Sequence, residues 1–465
     1  DFTFNFVAKD KERLITQGLK AKELEVSSKD WPTYRANNAR GSGTSASVLT
    51  PFGFEWVHTP KVDHVQTQVV SAGDLLFVAG ENRPVKAFHA KDGSVAWTFA
   101  SGSPIKYPPT ISKGRAYFGN GLGYVYCLEA KTGRELWRFR AAPIERHMMV
   151  YGHLCSTWPV NTGVLVDKDV AYFAAGIIDS DGTYIYALNA MNGKIKWQNN
   201  SSGHLNEILR KGVSAQGNLS IQGGQLILAG GNQVSPARYD LKTGKCLNQR
   251  FDQGHPKSNA GRFVGVFNGQ HVIQGGRILY SAPRNVATKG SFAITHKSRT
   301  YTLAFGGIPP AWHDKTFAMV NFRHGKLTCC DADKVSARVQ KGYSRNGRNR
   351  FRNNIASLLE EDKAIRWQSD LGESRSFEAL STVVCSNSVV AVVRYQHRVR
   401  SQPSWYLIAF DLKSGRVMAR QELKAEPLPG GLMVTREGKS IISTIDGQIL
   451  CFGKGERRRG ADRPR

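Results

Sequence analysis

Cysteine is scarce in this chain: Cys127, Cys155, Cys246, Cys329, Cys330, Cys385 and Cys451 are seven thiols spread over 465 residues. So sparse and odd a set excludes a disulfide-built scaffold and leaves at least one thiol unpaired. There is no C-x-x-C, no C-x-x-C-H and no H-E-x-x-H, which argues against a zinc ribbon, covalent c-type haem and a zincin protease. The Walker phosphate loop is missing as well. No apolar run approaches the roughly 18 residues that a spanning helix needs; the longest are short stretches such as residues 388–393. Acids are few, 37 against 64 Lys plus Arg, which leaves a formal charge of +27. Such an excess attracts phosphate, sulfate or carboxylate polymers. The chain opens at Asp1 without a basic-then-apolar leader, so a trimmed exported chain and an excised fragment are both open readings.

Glycine is plentiful, with 47 residues, and 40% of the chain is hydrophobic, enough for a large core. Collagenous and wholly disordered chains are thereby excluded. The glycines mark an internal repeat. "KAFHAKDGSVAW", "YCLEAKTGRELW" and "YALNAMNGKIKW" end at Trp97, Trp137 and Trp197, while "ARYDLKTGKCLN" around Gly244 and "IAFDLKSGRVMA" around Gly415 lack the Trp. Each unit reads as a β-hairpin. Asn189, Asp240 and Asp411 are placed to cap the turn, and Gly93, Gly133, Gly193, Gly244 and Gly415 to supply a positive φ. A second pair of alternating strands stands upstream of each turn, as in "VVSAGDLLFVAG" and "TISKGRAYFGNG".

Four short antiparallel strands per unit make a propeller blade, so the fold class is all-β. The alignment gives eight blades, with seven as the alternative. The last unit, "LMVTREGKSIISTIDGQILCFG", stops at its third strand, and "FGFEWVHTP" around Trp56 is expected to supply the fourth from the other end of the chain. That closure removes exposed sheet edges. Trp56, Trp97, Trp137, Trp197 and Trp367 are expected to dock between neighbouring blades, each burying roughly 150 to 250 Å².

This unit resembles the tryptophan-docking repeat of PQQ-binding-like propellers, a group that holds quinoprotein dehydrogenases and the BamB lipoprotein of outer-membrane barrel assembly. The segments "DWPTYRANNARGSGTSA" and "WPVNTGVLVDKDVAYFAAG" are similar to exported planctomycete-type paralogues of that group. The resemblance implies a periplasmic or extracellular protein. Its enzymes would need PQQ, a Ca²⁺ held by Glu and Asn, and a general-base Asp near the axis. No matching carboxylate constellation stands in this sequence, and no metal is expected. Cys329 and Cys330 resemble the vicinal disulfide that stacks on the quinone in such enzymes. The repeat alignment instead puts them in the third-strand slot of Cys127 and Cys451, as buried free thiols.

Outside the repeats, residues 1–30 read as an N-terminal extension in which "KDKERLITQGLKAKELEV" is one helix or a frayed end. The propeller is expected over 31–453, a basic insertion over 335–363, and a disordered basic tail over 454–465. Lys334, Arg338, Lys341, Arg345, Arg348, Arg350 and Arg352 follow one another with no acid among them. Arg345, Arg348, Arg350 and Arg352 are the expected polyanion contacts, against the plainer reading of a solvated basic loop. Between blades two and three, Arg146, His147, His153 and Trp158 form a candidate funnel site, with Asn232, Arg284, Asn285 and Trp312 in comparable loops. In the plainer reading Glu145 merely pairs with a neighbouring Arg.

The function expected is a non-catalytic propeller of the cell envelope that presents loops to a protein, a glycan or a polyanion. The alternative is a PQQ-dependent oxidoreductase acting on an alcohol or sugar. No module for sequence-specific nucleic-acid reading is present. No cofactor is expected in the first reading, and a monomer is expected in both.

Overall fold

The structure, a computed structural model, describes residues 13–62, 64–81, 84–150, 152–205, 212–231, 234–248, 261–274, 277–281, 300–304, 308–321, 325–341, 355–371, 377–396 and 402–456. Glycine hairpins between runs of alternating apolar residues fold into consecutive antiparallel meanders, numbered here as sheets 1 to 8. Sheet 1 spans Val70–Ala72, Leu75–Val78, Pro84–His89 and Val95–Ala100. Sheet 2 spans Thr110–Ser112, Arg115–Gly119, Tyr124–Glu129 and Glu135–Arg140. Sheet 3 runs from Leu165–Asp167 to Ile195–Asn199, and sheet 4 from Leu219–Gln222 to Ala237–Asp240. Sheet 5 runs from Val264–Phe267 to Thr300–Ala304, sheet 6 from Ala311–His313 to Ile365–Asp370, and sheet 7 from Phe377–Val384 to Val417–Leu423.

Sheet 8 takes Pro427–Val434, Ser440–Thr444 and Ile449–Lys454 from the end of the chain and Phe52–His58 from its beginning. Trp56 stands opposite Cys451 in that closing pair. First strands of successive sheets lie side by side, as between sheets 1 and 2, 2 and 3, 4 and 5, 6 and 7, and 7 and 8. They therefore line the axis, and the fold is an all-β propeller. The core lies between the sheets: apolar clusters join sheets 2 and 3, 3 and 4, and 6 and 7, so both faces of a sheet are buried.

The docking tryptophans follow one geometry. Trp56, Trp97, Trp137, Trp197 and Trp367 donate from Nε1 to the carbonyls of Ala90, Ala130, Ala190, Leu241 and Leu412 in the next sheet, at 2.9 to 3.3 Å. Each acceptor is three residues before the turn glycine on which the indole rests. A Cβ on Gly133, where φ is +72°, would lie 2.6 Å from Trp97 Cδ2. Glycine is thus required there twice, for its backbone conformation and for the indole's approach. Asp240 and Asp411 cap their turns by accepting from the backbone amides of Thr243 at 2.8 Å and Ser414 at 2.7 Å, and Asn189 accepts from Met191 at 2.9 Å.

Gly244 and Gly415, whose own units lack the Trp, still receive one from the preceding sheet. What those units lack is the Trp they would offer onward, and in sheet 7 Ala419 stands opposite Ala409 in that place. In sheet 6 the turn glycine is replaced by helical chain. Asp331 keeps the capping role, accepting from the amides of Asp333 and Lys334, but it opens helix α1, Ala332–Lys341, instead of a tight turn. Helix α2, Ile355–Glu361, follows. Val335, Val339, Leu358 and Leu359 bury their side chains with Phe267, Ile278 and Phe317, filling the seam between sheets 5 and 6.

Leu14–Thr16 corrects the expectation of a helix or a frayed end for that stretch. It is a fifth strand on the outer edge of sheet 2, with Thr16 opposite Trp137. Arg13 anchors it, donating to Arg140 O at 2.9 Å and to the Tyr186 hydroxyl at 2.6 Å, with its guanidinium 4.7 Å from the Phe139 ring centre.

Candidate functional site

The chain itself crosses the axis of the ring. Residues 31–49 hydrogen-bond to each of sheets 1 to 8. Trp31 and Ser71 exchange backbone bonds in sheet 1, and Ile111 of sheet 2 donates to Pro32 O at 2.7 Å. Asn38 donates to Val166 O of sheet 3 at 2.9 Å and Arg40 to Leu219 O of sheet 4 at 2.8 Å. Ala39 O accepts from Val266 of sheet 5, Gly41 O from Trp312 of sheet 6 and Ser42 O from Val384 of sheet 7, while Leu49 donates to Gly438 O in the first hairpin of sheet 8. Arg35, Ala36, Arg40 and Ser42 all have positive φ, a local conformation that only a dense set of outside contacts sustains.

Two guanidiniums lie inside this plug. Arg40 also donates to Thr33 Oγ1 and Tyr34 O, both at 3.0 Å. Arg35 donates to Arg40 O at 2.9 Å and Pro310 O at 2.7 Å, and lies 5.0 Å from the Phe263 ring centre. Desolvation pulls both down to about 10 from the usual arginine value. Tyr107 meets Tyr34 edge to face at 5.2 Å, and burial raises both phenols. These residues were not singled out by sequence reasoning. The density of polar residues between Thr33 and Ser42 was the signal available, but without the ring to surround it the segment reads as an ordinary leader.

By the alternation of the strands, the loops that join one sheet to the next and the turns between second and third strands share one end of the ring. Arg146, His147 and His153 are there. His147–Val150 and His153–Ser156 pair as a two-stranded ribbon, with Met149 opposite Leu154. His147 and Arg146 are exposed, and His153 is half-buried with Nδ1 lacking a hydrogen-bond partner. Glu145 accepts from the Tyr124 hydroxyl at 2.8 Å, which corrects the expected pairing with an arginine.

Trp158 is placed elsewhere: it is fully buried, donates to Asp181 O at 2.7 Å and packs edge to face on Tyr184. Trp312 is likewise buried, against Phe267 and the axial segment. Asn232, Arg284 and Asn285 lie outside the described residues, as do Arg345, Arg348, Arg350 and Arg352. Three neighbouring cations of the insertion are engaged locally. Arg338 and Lys341 pair with Asp362, and Lys334 donates to Lys363 O at 2.9 Å. The acid that answers the basic run stands beyond it in sequence, on the far side of α2.

Cys329 and Cys330 are free buried thiols on the third strand of sheet 6. Cys329 stands opposite the docking Trp367, as Cys127 does opposite Trp137. Burial raises Cys329 to about 11 and Cys330 further. This pair is part of the seam packing and does not face the axis. Among the described residues, no three or more His, Cys, Asp or Glu side chains converge so as to hold a metal ion. The described axial segment offers guanidinium and phenol donors, which do not ligate a divalent cation.

The family described as outer membrane protein assembly factor BamB matches residues 36–147 and 113–339. No individually curated protein matches the chain. Among solved structures, a europium-containing methanol dehydrogenase is 11% identical with a TM-score of 0.57, covering 92% of this chain and 99% of the other. Quinohemoprotein alcohol dehydrogenase from Comamonas testosteroni is 14% identical with a TM-score of 0.53, over 93% and 82%. The quinohemoprotein alcohol dehydrogenase ADHIIG from Pseudomonas putida HK5 is 12% identical at 0.50, over 94% and 82%. At these identities the likeness is one of fold. With the docking tryptophans, the closing strand and a family match over more than half its length, the chain belongs to the PQQ-like, BamB-type β-propeller family.

Proposed function

We propose that the protein is a non-catalytic binding propeller of the cell envelope, which presents the loops at one end of its ring to a protein, glycan or polyanionic partner. The observation that carries this reading is the axial segment. Its bonds to sheets 1 to 8 occupy the first-strand carbonyls and amides round the axis, which supports a reading in which the solvent-facing loops meet the partner. Location in the periplasm or outside the cell follows from the family and is part of the proposal. No helix among the described residues is long and apolar enough to cross a membrane. The net charge of +27 favours an anionic partner, with Arg345, Arg348, Arg350 and Arg352 as proposed contacts.

The test is equilibrium binding of PQQ to the desalted protein, with and without Ca²⁺, followed by tryptophan quenching. No retention at high micromolar PQQ is the expected result. Stoichiometric, metal-dependent retention would overturn the proposal in favour of an oxidoreductase acting on an alcohol or sugar. In parallel, deletion of residues 341–352 should weaken retention on heparin while leaving the melting temperature nearly unchanged.

A further inference from the structure

Among the described residues, the ribbon between sheets 2 and 3 exposes a run of apolar side chains. Met149 is 68% exposed, Leu154 opposite it 47%, and Met148 37%. Cations surround its base: Arg146 and His147 lead into it, Arg140 ends the preceding strand, and the exposed Lys106 lies in the loop whose Ser103 donates to Leu154 O at 3.2 Å. Glu145, the acid in this stretch, is held by the Tyr124 hydroxyl.

The same end of the ring carries further exposed apolar residues. Val62 and Val65 lie between sheets 8 and 1, Ile178 in the second turn of sheet 3 and Ile445 in that of sheet 8. The opposite end exposes apolar residues as well: Leu19 follows the edge strand of sheet 2 there, and Met191, Val95 and Val417 stand beside the turn glycines Gly193, Gly93 and Gly415. Apolar tips that stand on separate loops round a ring, instead of lining one groove, can be covered together only by a flat partner. Basic residues at the base of the ribbon call for a negative one.

We propose that this end of the propeller docks on an anionic phospholipid surface, with Met149 and Leu154 entering the headgroup–acyl boundary and Arg140, Arg146 and Lys106 meeting lipid phosphates. Unbranched thioether and isobutyl side chains suit shallow insertion, and arginine and lysine beside them add electrostatic attraction that salt screens. The inference deepens the reading above by naming the partner of the loop face, and it rests on that reading. The two fail separately: PQQ retention would overturn the non-catalytic reading, whereas vesicle binding tests only the docking.

The full chain is to be sedimented with phosphatidylglycerol–phosphatidylcholine vesicles and with phosphatidylcholine alone. Binding is expected to the mixed vesicles, to weaken with salt, and to fall about tenfold or more in the double variant Met149→Asp, Leu154→Asp. Val417→Asp, on the outer edge of sheet 7, should bind as wild type does. A second measurement needs no variant: peroxide oxidation of Met149, read by mass spectrometry, should slow when mixed vesicles are present. The proposal is overturned if mixed vesicles do not bind the chain, if binding survives the double variant, or if Met149 oxidises equally fast on the vesicle. It is also overturned if the chain forms a vesicle-free dimer that the double variant dissolves, because the ribbon would then be an interface between copies.

Discussion

The indole nitrogen of Trp137 donates to the carbonyl oxygen of Ala190 at 3.1 Å, and the Tyr117 hydroxyl donates to the same oxygen at 3.0 Å. One acceptor in sheet 3 thus gathers two side chains of sheet 2, and Trp137 is almost wholly buried. Trp137→Ala is expected to cost roughly 3 to 5 kcal/mol, mostly as lost packing and a cavity. Trp137→Phe keeps much of the packing and leaves Ala190 O with Tyr117, so about 1 to 2 kcal/mol is expected. Reversible urea unfolding measures both. A cost below about 1 kcal/mol for the alanine variant would mean that the residue does not dock between sheets.

The thiols give a second, chemically independent check on sheet 6. Cys127, Cys329, Cys330, Cys385 and Cys451 are buried, whereas Cys155 and Cys246 are half-buried. Burial raises all seven thiols above the usual range, so access and not thiolate character separates the two groups. In native buffer at neutral pH, an aromatic disulfide reagent should reach Cys155 and Cys246 first, and the others only as the chain unfolds. All seven should titrate in denaturant without reductant. Five titratable thiols would point to a Cys329–Cys330 bridge and count against the packing described for that seam.

Much of this fold was legible in the sequence because its determinants are local. A turn glycine, a polar cap four residues before it and a Trp four residues after it lie within one hairpin, so Glu129, Gly133 and Trp137 reveal the unit without knowledge of its neighbours. Even the closure at Trp56 could be read, since a final unit with three strands needs a fourth. The axial segment could not. Arg40 is defined by Leu219, far away in sequence, and its left-handed conformation exists only because eight sheets surround it. The Trp158 loop shows a related point: a Trp beside two His and two Arg has the composition of a site, but composition does not carry depth of burial, and Trp158 is fully buried. In the insertion, the helical spacing of Val335 and Val339 was masked by the basic run around it.

His271, on the second strand of sheet 5, supplies a pH-dependent term. Burial, with the Arg238 charge as a lesser cause, lowers its pKa to about 4 from the usual 6.5. The unfolded chain then binds a proton that the folded chain refuses. Its contribution is fully present above about pH 6.5 and is lost as pH falls towards 4, by on the order of 3 kcal/mol in all. His271→Gln, which cannot take up the proton, should flatten the decline in urea stability between about pH 7 and 4.5. An unchanged slope would place the acid sensitivity in other groups.

Arg40 tests the centre of the ring. Its guanidinium joins the first-strand carbonyl of Leu219 to the axial segment's own Thr33 and Tyr34, a set of directions that a planar fork with several N–H groups can satisfy at once. Arg40→Met removes the charge and leaves those acceptors buried without their donor, at an expected cost of roughly 3 to 5 kcal/mol. Arg40→Lys keeps the charge but offers a single ammonium on a different geometry. It is expected to destabilise to within about 1 kcal/mol of the methionine variant, because position and not charge is what the site uses. Hydrogen exchange separates this from a general loss of stability: amides of Val266, Trp312 and Val384, which donate to the axial segment, should lose protection before those in the outer strands. If Arg40→Met unfolds within about 0.5 kcal/mol of wild type and leaves those amides protected, the segment is lining and not core. The centre of the ring would then be open to a ligand, and the non-catalytic reading would lose the observation on which it stands.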